Sequence, residues 1–423
     1  MRIPLARLSR FFLACLSMAC LGSVCFAAEP ALPDLALQPP QLLQELDPQH
    51  VRSSRGSQGV ASIERAASGR LWAAWYADKG KRGVESPSSY VVLATSDDDG
   101  QSWKEVQAIQ AGKRVRTYDP CLWHDPQGRL WLFWAQSAGM QDGRMGVWAI
   151  VTENAASATP DWSAPRRLAN GVMMNKPTVL KNGDWLLPVG FWRDNTNVPN
   201  IPFDEEHLAP YTRAMLSHDL GEERGSNVVR STDQGKTFHF LGQVRIPGTR
   251  VDEHMLVERK DGSLWMLVRN TGGIAESVST DGGRTWSAGS VALAGKTFAN
   301  KRFFLRRLAS GAMLLVRNDA ADGARTHLKA FLSDDDGKSW QGGLLLDERE
   351  SSYPDGVQAK SGSIYLIYDH QRYTLNRAGK RGVGSVQMAV IHEEDIRAGR
   401  IINDQSRLRT TISQLQPASV PQE

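Results

Sequence analysis

Two short motifs recur through this chain out of phase with each other, and together they restrict it to few folds. The first is a glycine turn leading straight into an apolar, β-prone run: SGRLWAAW (68–75), QGRLWLFW (127–134), NGDWLLPV (182–189), DGSLWMLV (261–268), SGAMLLVR (310–317) and SGSIYLIY (361–368). The second has the form Ser-x-Asp-x-Gly-x-Thr/Ser-aromatic: SDDDGQSW (96–103), STDQGKTF (231–238), STDGGRTW (279–286) and SDDDGKSW (333–340), with the remains of a fifth at PDWSAP (160–165). In this second motif the Asp side chain can accept from backbone N–H groups across the turn, Gly supplies a positive φ, and the aromatic packs between strands. Units repeating at roughly 50 to 80 residues belong to folds whose members bury their faces against one another. The expected fold is all-β, a six-bladed β-propeller of four-stranded antiparallel blades with Asp-box turns. The repeated Asp residues are expected to serve turns rather than chemistry.

The ends of the chain differ in character. Arg2, Arg7 and Arg10 precede FFLACLSMACLGSVCFAA, an apolar run ending in small residues, so residues 1–28 read as a signal peptide cleaved after Ala27 or Ala28. The run is also just long enough to stay as an anchor; lipid attachment at Cys20 is disfavoured by the bulk of Met18. Residues 29–50, rich in Pro and Leu, read as a linker with room for one short helix, residues 51–412 as the propeller and 413–423 as a tail. The expected location is periplasmic or secreted.

Cys15, Cys20 and Cys25 fall in the leader, which leaves Cys121 alone and the mature chain without an internal disulfide. Stability then has to come from packing, and 13 tryptophans supply large rings to bury. A net charge of +4 with no long basic block gives no support to a nucleic-acid or membrane-surface role. No His/Cys spacing suggests a metal site, and no Gly-rich phosphate loop of useful quality is present, so no cofactor is expected. A monomer with no membrane contact beyond its export signal is the simplest expectation.

The stretch ESSYPDGVQ (350–358) sets Tyr353 among small polar residues, two carboxylates and a Pro-Asp-Gly turn signal. It is too polar in company for a core strand and too well framed for an arbitrary loop. Upstream, RVDEHMLVERKDGSLWMLVRN places Glu253 ahead of a strand ending in Arg269, and GARTHLKAFLSDDDG places Arg325 shortly before an Asp box. These segments and both repeats resemble the sialidase (neuraminidase) superfamily over about residues 51 to 395. The resemblance implies that Tyr353 is a nucleophile activated by Glu253, and that Arg269 and Arg325 bind a substrate carboxylate. A free phenol holds its proton to about pH 10 and needs such a base. Tyrosine suits a substrate with its own carboxylate at the reacting carbon, where an Asp or Glu nucleophile would meet like charge; it is a known exception to the two-carboxylate rule. Bidentate arginines are what a carboxylate requires.

The resemblance fails in the first blade. The superfamily's Phe/Tyr-Arg-Ile-Pro motif is replaced by GSQGVASIERAASGRL, with Gly59 where the arginine should stand, and Arg52, Arg55 and Arg65 do not align without a gap. At the place of the acid/base Asp stands Glu85, with Asp78 as the alternative. Trp75, Tyr118, Asp119, Asn175, Lys176, Trp192, Arg302 and Asp355 are expected to shape a changed pocket, since TYDP and NKPT end just before their inner strands. The bland alternatives are a packing tyrosine, a solvated turn at Asp252–Glu253 and surface ion pairs at the arginines. The function implied is retaining hydrolysis of a terminal acidic sugar, sialic acid or related, from a glycan or glycoconjugate. A glycan-binding propeller without turnover, and a glycosidase for a non-sialic acidic sugar, remain open.

Overall fold

All six glycine turns close in the same way. Ala66, Asp125, Leu180, Arg259, Leu308 and Ala359 each donate their N–H to the carbonyl four residues on, at 2.8–3.0 Å. The glycines within them, Gly69, Gly128, Gly183, Gly262, Gly311 and Gly362, have φ of 81° to 99°, a region open to glycine at little cost. The computed structural model describes residues 34–79, 85–112, 114–139, 144–191, 212, 215, 221–291, 300–372 and 383–416. The leader, Trp192 and the end of the tail lie outside the described residues.

Each turn joins the innermost strand of a blade to its second. The innermost strands are Ser57–Arg65, Val115–His124, Thr178–Val179, Met255–Glu258, Phe304–Arg307 and Ser351–Gln358. Six antiparallel sheets follow in chain order, each of four sequential strands. The first sheet gains a fifth, Gln41–Leu43, paired outside Lys104–Gln110. That strand arises within the segment expected to be a linker, beside a single 3-10 turn at Leu35–Leu37. The last strand, Arg407–Gln414, runs past the expected boundary at residue 412. The chain is a six-bladed β-propeller.

The four Asp boxes join third strands to fourth. In the first, Asp98 Oδ1 accepts the Ser96 hydroxyl at 2.7 Å and the Ser102 N–H at 2.9 Å, and Oδ2 accepts the Ser102 hydroxyl at 2.5 Å. Asp233, Asp281 and Asp335 repeat the pattern. These hydrogen bonds hold Asp98 and Asp335 down to about 2. Of the degenerate fifth copy, Trp162 packs edge-on against Trp72 with ring centroids 6.2 Å apart.

Glycine turns and Asp boxes therefore share one end of the ring. The starts of the innermost strands, and the loops from second to third strands, share the other. Blade 6 closes on blade 1 through side chains: Asp355 Oδ2 accepts Ser62 Oγ at 2.6 Å and Ile63 N–H at 3.0 Å, and Asp369 Oδ2 accepts Val60 N–H at 3.0 Å. The segment after residue 370 supplies the two outer strands of that blade, Ser385–Ile391 and Arg407–Gln414.

The Pro-Asp-Gly triplet at 354–356 is not a turn. It lies inside the buried strand Ser351–Gln358, and its polarity is answered by the Asp355 contacts across the closure. Sequence polarity misled because partners more than 290 positions away satisfy the carboxylate.

Candidate active site

Six residues before the donor of each glycine turn, the blades present Val60, Asp119, Met174, Glu253, Arg302 and Tyr353 in equivalent positions. Four of these are left-handed: Val60 (φ 50°), Asp119 (49°), Glu253 (38°) and Tyr353 (55°). Non-glycine residues in that region are uncommon, a β-branched valine especially so. In blades 1, 2 and 6 the pairing shifts across Gly59/Ser62, Tyr118/Cys121 and Ser352/Asp355. Such bulges re-aim a side chain out of the strand's alternation, and strained backbone of this kind gathers at functional sites. Asp119 thus sits in a bulge within its strand rather than in a loop before it.

The structure brings Tyr353, Glu253 and Arg269 together. Tyr353 Oη donates to Glu253 Oε1 at 3.1 Å. Arg269 Nη1 donates to both oxygens of Glu253 at 2.9 Å and lies 3.5 Å from Tyr353 Oη. Arg269 Nε reaches Asn300 Oδ1 at 3.3 Å. The neighbouring Asp252 is fully buried and accepts Ser226 Oγ at 2.6 Å, so it anchors the Glu253 segment and is no solvated turn. Arg325 stands with its guanidinium carbon 5.1 Å from the centre of the Tyr353 ring, and its Nη1 is buried with no hydrogen-bond partner among the described residues.

Glu85 approaches from the loop of blade 1. Arg116 Nη1 donates to one of its oxygens at 3.2 Å and Arg372 Nη1 to the other at 3.4 Å. The alternative, Asp78, is buried and holds the base of this loop, accepting Ser86 N–H at 3.0 Å and the hydroxyls of Ser86 and Ser89 at 2.7 Å. Asp119 is buried close by. Burial, with the charges of Glu85 and Glu253, pushes its carboxyl up to about 8 against the pull of Arg116 and Arg372. At neutral pH it keeps its proton.

Three residues expected in the pocket serve the core beneath it. Lys176 Nζ donates to Ile63 O (2.8 Å), Leu122 O (2.6 Å) and Glu64 (2.9 Å), and lies 3.2 Å from Asp355. Burial alone would raise the Glu64 carboxyl, but Lys176 and His124 hold it down to about 2. Arg302 is 1% exposed; it donates to Asn175 Oδ1 at 2.6 and 2.9 Å, to Met174 O at 2.9 Å and to Pro354 O, so it fixes the residue after Tyr353. Trp75 is fully buried in an apolar cluster with Ala61, Ile63 and Tyr365. The axis of a propeller is deeper than sequence spacing suggests, and side chains at inner-strand positions reach each other before they reach solvent.

Two site residues were missed from sequence. Arg116 packs on Tyr118, 3.5 Å from the ring centre, and Arg372 lies 4.4 Å from the centre of the Tyr353 ring. Arg116 could have been found as a charged residue in an otherwise buried strand. Arg372 follows the second strand of the last blade and carries no local signal.

The ring sets a carboxylate against a phenol, holds a second carboxyl raised by burial, and gathers the guanidinium groups of Arg116, Arg269, Arg325 and Arg372 around them. The BNR repeat-like domain family matches residues 69–366. The chain belongs to that family, within the sialidase superfamily. A curated sialidase from Micromonospora viridifaciens is 22% identical over 312 residues, 68% of this chain but 46% of its own length. Among solved structures, the leech intramolecular trans-sialidase with 2,7-anhydro-Neu5Ac superposes with TM-score 0.60 at 13% identity, covering 82% of this chain and 69% of the other. The Trypanosoma rangeli sialidase in complex with the inhibitor DANA gives TM-score 0.54 at 17% identity, over 75% of this chain and 53% of the other. At these identities the two structures speak for the propeller fold.

Proposed function

We propose that this BNR-repeat protein is an exported, retaining exo-glycosidase acting on a terminal sugar that bears a carboxylate, sialic acid or a related acid. The observation that carries this reading is the Tyr353–Glu253 hydrogen bond, 3.1 Å long, with Arg269 against both partners. Glu253 takes the phenolic proton as Tyr353 Oη attacks the anomeric carbon, and Arg269 offsets the charge on the pair. Glu85, its side chain 27% exposed, is the carboxyl assigned here to the leaving group. It gives that oxygen a proton, then takes one from the water that releases the sugar. Asp119, neutral at pH 7, adds no charge to repel an acidic substrate.

The relatives named above include a sialidase bound to DANA and a trans-sialidase bound to a sialic acid product, which supports a glycan substrate here. Gly59, where the superfamily resemblance calls for an arginine, favours a second reading: a glycan-binding propeller without turnover. Release of free sugar from a panel of sialosides, uronides and neutral glycosides separates the two. Cleavage confined to the acidic members, lost in Tyr353→Phe, is expected; no release from any member leaves the binding propeller.

A further inference from the structure

We propose that Arg372, entering from the last blade across the ring closure, takes the anion-binding place that none of the described arginines of the first blade fills. It would grip the substrate carboxylate together with Arg325 at the Tyr353 ring. The proposal rests on the acidic-sugar reading and adds the residue that makes it possible.

Three observations support it. First, the backbone gives Arg372 a prepared path. A Cβ on Gly59 would clash with Arg372 Cδ and lie 2.6 Å from its Cγ, well inside contact, so glycine there leaves room for this side chain to cross. A Cβ on Gly384 would meet Gln371 O at 2.5 Å and Arg372 C at 2.9 Å, so a second glycine clears the other side. Gln58 N–H donates to Arg372 O at 3.1 Å, docking the segment on the first inner strand. The residue absent from blade 1 and the residue present from blade 6 thus occupy one space.

Second, the guanidinium lies over the ring of the tyrosine proposed as nucleophile. Its carbon lies 4.4 Å from the Tyr353 ring centre, with Arg325 at 5.1 Å from the same centre. Asp369, 3.5 Å from Arg372 Nε, also accepts Val60 N–H at 3.0 Å and the Ser352 hydroxyl, tying the arginine to the residues flanking both bulges.

Third, the local charge is incomplete. Arg116 and Arg372 meet Glu85 and Arg269 meets Glu253, while Arg325 stands at the Tyr353 ring and burial raises the Asp119 carboxyl to about 8. Arg325 Nη1 is buried without an acceptor among the described residues. Buried guanidinium N–H groups are costly to leave unpaired, and a planar carboxylate fits two such donors.

The test is equilibrium binding of DANA and of its uncharged methyl ester to the full chain, with thermal unfolding as the control for folding. Wild type is expected to prefer DANA by at least about tenfold. Arg372→Met, which keeps the methylenes and removes the charge, should weaken DANA binding by about 10- to 100-fold and leave the ester unchanged. Gly59→Ala should weaken DANA binding in the same direction while every charge is retained; should it fail to fold, Arg372→Met decides alone. Unchanged DANA affinity in Arg372→Met, with affinity lost in Arg325→Met, overturns the role of Arg372 and leaves the acidic-sugar reading standing. A wild type that binds DANA and ester alike, or neither, overturns both.

Discussion

Tyr353 and Glu253 stand 100 positions apart in the chain and share one hydrogen bond of 3.1 Å, each at the left-handed residue of its blade's innermost segment. Two repeats of one fold device have thus been given complementary side chains. If they act as one unit, Tyr353→Phe should keep fold and ligand binding while turnover falls by orders of magnitude. Glu253→Gln should lose about 10²- to 10⁴-fold, because an amide cannot take the phenolic proton. The double variant should be scarcely slower than the worse single one. Initial rates on the cleaved glycoside measure all three, and unchanged turnover in Tyr353→Phe rejects the nucleophile.

Asp119 should make stability fall with pH. Its carboxyl titrates near 3.8 when unfolded and near 8 when folded, so between these values the folded state holds a proton that the unfolded state releases. Stability is full below about pH 4 and is lost as pH rises toward 8, by at most about 1.4 kcal/mol per pH unit. Asp119→Asn should flatten this slope and be the more stable protein at pH 7.5, with the two converging near pH 4. Denaturant midpoints across that range supply the comparison; parallel curves would contradict the assignment.

Lys176 should prove structural. Lys176→Met leaves Glu64 and Asp355 buried without their shared cation, a change expected to cost about 3–5 kcal/mol. Adding Glu64→Gln removes one stranded charge and should recover part of the loss. Chemical denaturation reads both steps. A fully stable Lys176→Met protein whose DANA binding alone has changed would return the lysine to the pocket.

Export can be checked by mass. The mature chain should begin near Ala28 or Glu29 and hold one thiol, Cys121, whose burial pushes it up to about 12. That thiol should ignore a thiol reagent until the protein is unfolded. An N-terminus at Cys20 carrying lipid, or an uncleaved chain, would contradict this.

What the sequence determined by itself was the repeat and hence the ring. Glycine turns and Asp boxes are local devices: Asp98 and its counterparts satisfy neighbours within four positions, so their chemistry is visible in a short window. Tyr353, Glu253, Arg269 and Arg325 were legible through order along the chain, because blade order sets the order around the axis. The tertiary structure alone decided the rest. Whether Lys176 and Arg302 face a ligand or the core depends on partners 50 to 130 positions away, Leu122 and Asn175 among them. Which side chain takes the space beside Gly59 depends on Gly59 and Arg372 meeting across the closure, more than 300 positions apart in the chain. Local patterns encode what a residue does with its neighbours; a side chain reaching across the axis answers to groups that no window contains.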